Sequence, residues 1–75
     1  MKIVIYSTPH CPYCHMAKDY LDSRGLVFEE KNVAIDQEAA EEMVNKSGQM
    51  GVPVIDINGQ IIVGFDRGAI DKLIK

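Results

Sequence analysis

Ile3-Val4-Ile5-Tyr6-Ser7-Thr8-Pro9-His10-Cys11-Pro12-Tyr13-Cys14 is the stretch that decides the fold of this chain. Its first part, from Lys2 to Tyr6, is rich in β-branched and aromatic residues with almost no polar interruption. That predicts a strand buried on both faces, hence a central one. Pro9 pushes Thr8 out of helical conformation, so Ser7-Thr8-Pro9-His10 reads as an extended loop. Pro12 suits the first position of a helix, because its φ is already set and its missing N–H is an orphan donor there anyway. Cys11 then falls at the N-cap, facing unpaired backbone N–H groups and the positive end of the helix dipole. Both features favour negative charge on its sulfur. Cys14 lies one turn further in, sees more of the core and is expected to keep its proton longer. The roles divide accordingly: Cys11 attacks a disulfide, and Cys14 resolves the mixed disulfide that results.

Two other uses of a cysteine pair fit less well. A disulfide across three positions closes a tiny loop and constrains little of the unfolded chain. A zinc site needs two further ligands. His10 and His15 are the only histidines, and each abuts a cysteine; four side chains on one turn do not converge tetrahedrally. The pair therefore reads as a redox dithiol, with no metal expected.

The 75 residues make one domain, residues 1–75, with a minimal core. An apolar content of 47% and a charged content of 25% suit a globule. The net charge of −3 weighs against nucleic acid as a partner. The apolar start is too short for a signal peptide, and no stretch approaches the ~20 apolar residues of a membrane span. The expectation is a cytoplasmic monomer without membrane contact. In that compartment a lone cysteine pair is catalytic or metal-binding more often than structural.

Around the cysteine stretch the rest of the chain falls into alternating elements. Residues 12–24 place Cys14, Ala17, Tyr20 and Leu21 on one helical face and Lys18, Asp22 and Ser23 on the other, with Gly25 ending the helix. Residues 26–33 read as a second strand that turns polar, parallel to the first because a helix intervenes. Asp36 is the expected cap of a helix over 37–46, with Ala39, Ala40, Met43 and Val44 inward and Glu38, Glu41 and Glu42 solvated. Pro53 stands at the head of a strand over 54–57, where a missing N–H is tolerated. Asn58-Gly59 is a type I′ hairpin signal joining it to a strand over 60–63. Asp66 caps a last helix over 67–74, docked by Ile70, Leu73 and Ile74. The order β-α-β-α-β-β-α predicts an α/β fold with a four-stranded mixed sheet flanked by helices on both faces.

Cys11-Pro12-Tyr13-Cys14 after a first strand resembles the active site of dithiol glutaredoxins. Val52-Pro53 and Gly64-Phe65-Asp66 match that family's other landmarks in order and approximate spacing. The resemblance covers essentially the whole chain. It implies a thioredoxin-like fold and glutathione-linked reduction of protein disulfides and of glutathionylated proteins. It also implies a cis Val52-Pro53 bond facing Cys11, with the Val52 backbone free to pair with glutathione or a peptide as an added strand. The γ-glutamyl end of glutathione would then meet the backbone at Phe65 and Asp66, following Gly64. Asp66 has two readings there, a helix cap or a partner for the ammonium. Tyr13 likewise either covers the core edge or rims the glutathione groove. Thr8 and Gln49 stand where many glutaredoxins carry basic residues that bind glutathione carboxylates. Both can hydrogen-bond a carboxylate, and neither supplies charge.

Three functions follow as expectations. The first is a glutathione-dependent thiol–disulfide oxidoreductase working through Cys11 and Cys14. Val63-Gly64-Phe65 is also similar to the glutaredoxin-like hydrogen donors of ribonucleotide reductase, so the second is the same chemistry recharged by thioredoxin reductase. The third, from another class, is an iron–sulfur scaffold in which two subunits and glutathione share a cluster; Pro12 and the uncharged Thr8 and Gln49 weigh against it.

Overall fold

The computed structural model describes residues 1–74. Strand β1 (Ile3–Ser7) is buried at all five positions, as its unbroken apolar run requires. Strands β2 (Glu29–Asn32), β3 (Val54–Ile57) and β4 (Gln60–Val63) complete one sheet in the order β2-β1-β3-β4. β2 runs parallel to β1, while β3 runs antiparallel to both β1 and β4. The first strand is therefore central, and a helix separates the one parallel pair, as predicted.

Alternation along the strands divides the core between the two faces. Ile3, Ile5, Ile55, Ile57 and Ile62 point to one side, where Ala17 and Leu21 of α1 (Pro12–Ser23) and Ile70 of α3 (Arg67–Ile74) cover them. Val4, Tyr6 and Val54 point to the other side, under Ala39 and Met43 of α2 (Gln37–Ser47). This is the thioredoxin-like arrangement. Among the described residues no helix is long and apolar enough to cross a membrane.

Local chemistry sets the element ends. α1 stops where Gly25 takes a φ of 69°, with Leu26 N–H returning to the Leu21 carbonyl and Gly25 N–H to that of Asp22. That pairing satisfies carbonyls the helix would leave open. Asp36 accepts from the Ala39 N–H at 3.0 Å, and Asp66 from the Ala69 N–H at 3.1 Å, so both predicted caps are formed. Asn58 and Gly59 have φ values of 53° and 90°, the two positive angles a type I′ turn needs.

Two expectations are corrected. The second strand is shorter than residues 26–33: only Glu29–Asn32 pairs with β1. Leu26 and Phe28 instead plug the edge of the α1 and α3 side of the core. Glu42 is not a solvated face residue. It accepts a short hydrogen bond from the buried Tyr6 hydroxyl and pairs with Lys31 at 3.2 Å. Lys46 donates to the Tyr6 hydroxyl at 2.8 Å and pairs with Asp56 at 2.7 Å. The phenol thus ties β1 to α2, ion pairs of its two partners extend the link to β2 and β3, and the buried hydroxyl is satisfied from both sides.

Candidate active site

The C-terminal end of β1 delivers the chain to the first turn of α1, and the two cysteines sit on that turn. Cys11 is the N-cap, with φ −102° and ψ 108°, and Pro12 is the first helical residue. The Cys11 sulfur accepts the Cys14 backbone N–H at 3.1 Å. It takes the place a serine or aspartate oxygen holds in an ordinary cap. Both cysteines are free thiols; Cys11 is partly exposed and Cys14 fully buried.

Burial separates their chemistry. The Cys14 thiol is pushed up to about 12, first by loss of solvent and then by its hydrogen bond with Cys11. The Thr8 backbone amide and the Lys18 charge act in the opposite direction on it.

A second loop closes over Cys11. The Val52-Pro53 peptide is cis, and the Cys11 sulfur lies 3.8 Å from the Val52 carbonyl oxygen. Pro53 is buried, and its carbonyl accepts the Gly64 N–H at 2.8 Å. This bond fastens the end of β4 to the start of β3 and sets where the Gly64-Phe65-Asp66 turn begins. Gly64 has a φ of 82°, which a side chain would disfavour.

The remaining sequence-predicted residues divide. Tyr13 stands on the first turn of α1 and is 62% exposed, so it is not a cover for the core edge. Gln49 turns back on its own loop: its amide nitrogen donates to the Gly51 carbonyl at 3.0 Å and its oxygen accepts the Gly51 N–H. Phe65 is partly buried and points its ring at Tyr20, centroids 6.0 Å apart and edge-on. Asp66 spends one oxygen on its helix cap.

With this geometry in place, comparison with known proteins is direct. The glutaredoxin family model matches residues 3–62. The chain belongs to the glutaredoxin family. It is 55% identical over 73 residues to a glutaredoxin-like 8.6 kDa protein of the rubredoxin operon of Clostridium pasteurianum, covering 97% of each chain. It is 44% identical to glutaredoxin 3 of Escherichia coli, covering 97% of this chain and 96% of that one. Among solved structures, the glutaredoxin-like NrdH-redoxin of Escherichia coli, described as having a thioredoxin-like activity profile, superposes with a TM-score of 0.88. It is 33% identical and covers all of this chain and 97% of that one.

Glutaredoxins are thiol–disulfide oxidoreductases, and so is this family member. Around its cysteines stand residues that sequence reasoning passed over. His15 was weighed only as a metal ligand; its Nε2 is 3.0 Å from the Pro9 carbonyl and braces the loop before Cys11. The helical pattern puts Lys18 on the side opposite Ala17 and Leu21, yet its side chain is only 19% exposed and pairs with Glu30 at 2.7 Å. Glu30 in turn accepts from the hydroxyl of Ser7, which is wholly buried. The available signal was the four-residue step from Cys14 to Lys18, which puts the two on neighbouring turns. Among the described residues, no three His, Cys, Asp or Glu side chains are grouped to hold a metal ion.

Proposed function

We propose that this protein reduces protein disulfides and glutathione mixed disulfides through Cys11 as nucleophile and Cys14 as resolving thiol, with glutathione as reductant and the cytoplasm as its compartment. The observation that carries the reading is the asymmetry of the pair: a partly exposed sulfur capped by a backbone N–H, and a fully buried one a single turn away. Cys11 attacks the substrate disulfide and expels one thiol. Cys14 then attacks Cys11 and expels the second. Glutathione would lie along the Val52 backbone, with the exposed Tyr13 ring on one side and the start of α3 at Phe65 and Asp66 on the other. The 44% identity to glutaredoxin 3 supports that assignment.

A second reading has its own support. Thr8 carries no charge, and the Gln49 amide is engaged with Gly51. A glutathione carboxylate would therefore miss the charge that a basic residue supplies, at a cost on the order of 1–2 kcal/mol at each position. The likeness to NrdH-redoxin points the same way. On this reading the chemistry is unchanged and thioredoxin reductase supplies the electrons.

Steady-state reduction of a glutathione mixed disulfide, coupled to glutathione reductase and NADPH, tests the choice. Turnover that saturates with glutathione establishes the first reading. Turnover only with thioredoxin reductase and NADPH overturns it in favour of the second. Turnover with neither donor, while Cys11 still titrates as a thiol, rejects both.

A further inference from the structure

We propose that Lys18, anchored by Glu30 and Ser7, is a positioning residue that supplies the positive charge through which the buried Cys14 becomes a nucleophile. The inference rests on the resolving role proposed for Cys14 above.

The difficulty it addresses is geometric. Cys14 is fully buried, and the last step of the reaction needs its thiolate. In that step the Cys11–substrate disulfide breaks and a Cys11–Cys14 disulfide forms. The substrate sulfur leaves with the electron pair and is protonated, and the proton balance closes because the Cys14 thiol gives up its own. The substrate is reduced by two electrons in all, and the cysteine pair is oxidised by two. A buried thiol resists this loss of a proton, and a nearby cation eases it.

Lys18 is the cation placed for the task. It follows Cys14 by four residues on α1, so the two side chains leave the same side of the helix. Its ammonium is held at 2.7 Å by the same Glu30 oxygen that accepts the Ser7 hydroxyl at 2.8 Å. Ser7 is buried and immediately precedes Thr8, whose backbone amide faces the Cys14 thiol. The anchor is therefore one residue along the chain from the backbone that bears on the sulfur. Lys18 reaches it from the cysteine's own helix and Glu30 reaches it from β2. The Lys18 hydrogen bond first, and the Ser7 hydroxyl second, hold Glu30 below the usual carboxylate range. Cys11 and Lys18 bear on Cys14, and Lys18 and His15 bear on Glu30; the Glu30 carboxylate, 2.7 Å from the Lys18 ammonium, offsets part of the lysine's charge at the thiol. A purely structural pair would tie α1 to β2 with no need of the buried hydroxyl beside the site.

Single-turnover reaction of the reduced full chain with an aromatic disulfide, dithiobis-nitrobenzoate, separates the steps. The first coloured thiolate released reports attack by Cys11, and the second reports attack by Cys14. In Lys18→Met the second release should slow about tenfold at neutral pH, with its pH profile displaced upward by about one unit. The first release should keep its rate, and a far-ultraviolet circular dichroism spectrum matching the parent's shows that the variant is folded. Lys18→Arg should restore the second release. An unchanged second release in Lys18→Met, or equal slowing of both, overturns the inference while leaving the Cys14 assignment in place. Absence of a second release in the unsubstituted protein overturns both together.

Discussion

The backbone N–H of Cys14 points at the sulfur of Cys11 at 3.1 Å, so each cysteine shapes the other's surroundings. The turn that leaves one sulfur partly exposed buries the other. This coupling follows from Pro12, which starts the helix one residue after Cys11 and leaves that residue as the cap.

The first consequence concerns the two serine variants. Cys11→Ser should abolish reduction of both glutathione mixed disulfides and protein disulfides. Cys14→Ser should retain the first activity, in which glutathione itself resolves the intermediate, and lose the second. Parallel assays on the two substrates check this. Equal loss of both activities in Cys14→Ser would remove the division of labour.

The second concerns alkaline pH. The folded Cys14 thiol is raised from an ordinary value of 9.0 to about 12, burial being the main cause. A group raised in the folded state contributes stability that is complete below its unfolded pKa and disappears as pH climbs through the folded one. The reduced protein should therefore lose stability progressively between about pH 9 and 12. Thermal melts of the reduced protein and of Cys14→Ala across that range check it. The variant's curve should be flatter; a slope identical to that of the parent would mean that Cys14 titrates alike in both states.

The parts of the fold that could be read directly are those where apolar pattern and turn chemistry agree. Ile3-Val4-Ile5-Tyr6 predicted the central strand, Asn58-Gly59 the hairpin, and Asp36 and Asp66 their helices, all as found. β2 was overextended because Glu-Glu-Lys-Asn has no apolar signal of its own. It is an edge strand held by backbone pairing to β1. Its side chains serve ion pairs, Glu30 with Lys18 and Lys31 with Glu42. Charge on an edge strand also deters pairing with other chains. At the candidate site, cysteine spacing and Pro12 gave the chemistry away. The folded-back amide of Gln49 left no mark, because it depends on loop conformation. For Lys18 the four-residue step from Cys14 gave only its place on the helix, since its inward turn depends on Glu30, a partner distant in sequence.

The third prediction tests the Tyr6 network. The phenol is fully buried, and its hydroxyl links Glu42 and Lys46. Tyr6→Phe keeps the ring in the core and removes both bonds. The cost should be about 1–2 kcal/mol, since both lost partners are charged but half-exposed and can recover water. For a domain this small that lowers Tm by roughly 4–16 °C. Tyr6→Ala adds a large cavity and should cost about 3–5 kcal/mol, enough to leave much of the chain unfolded at ambient temperature. A Tyr6→Phe variant as stable as the parent would mean that Glu42 and Lys46 gain nothing from the phenol.

The same network sets the acid limit. The Tyr6 hydrogen bond first, and Lys31 and Lys46 after it, lower Glu42 from 4.5 to about 2. A carboxylate depressed by folding contributes stability that is complete above its unfolded pKa and is lost as pH falls through the folded value. Glu42 should therefore draw stability out of the protein between about pH 4.5 and 2. Its side chain is 40% exposed, so solvent and salt screen part of the effect. Glu42→Gln keeps the shape and a hydrogen-bond acceptor and removes the titration. Its Tm should fall below that of the parent at neutral pH, and the two should converge as pH approaches 2. The gap at neutral pH should also narrow in high salt, because the charge partners of Glu42 are lysines at the surface. A constant gap from pH 7 to 2 would assign the loss to packing rather than to the carboxylate's charge.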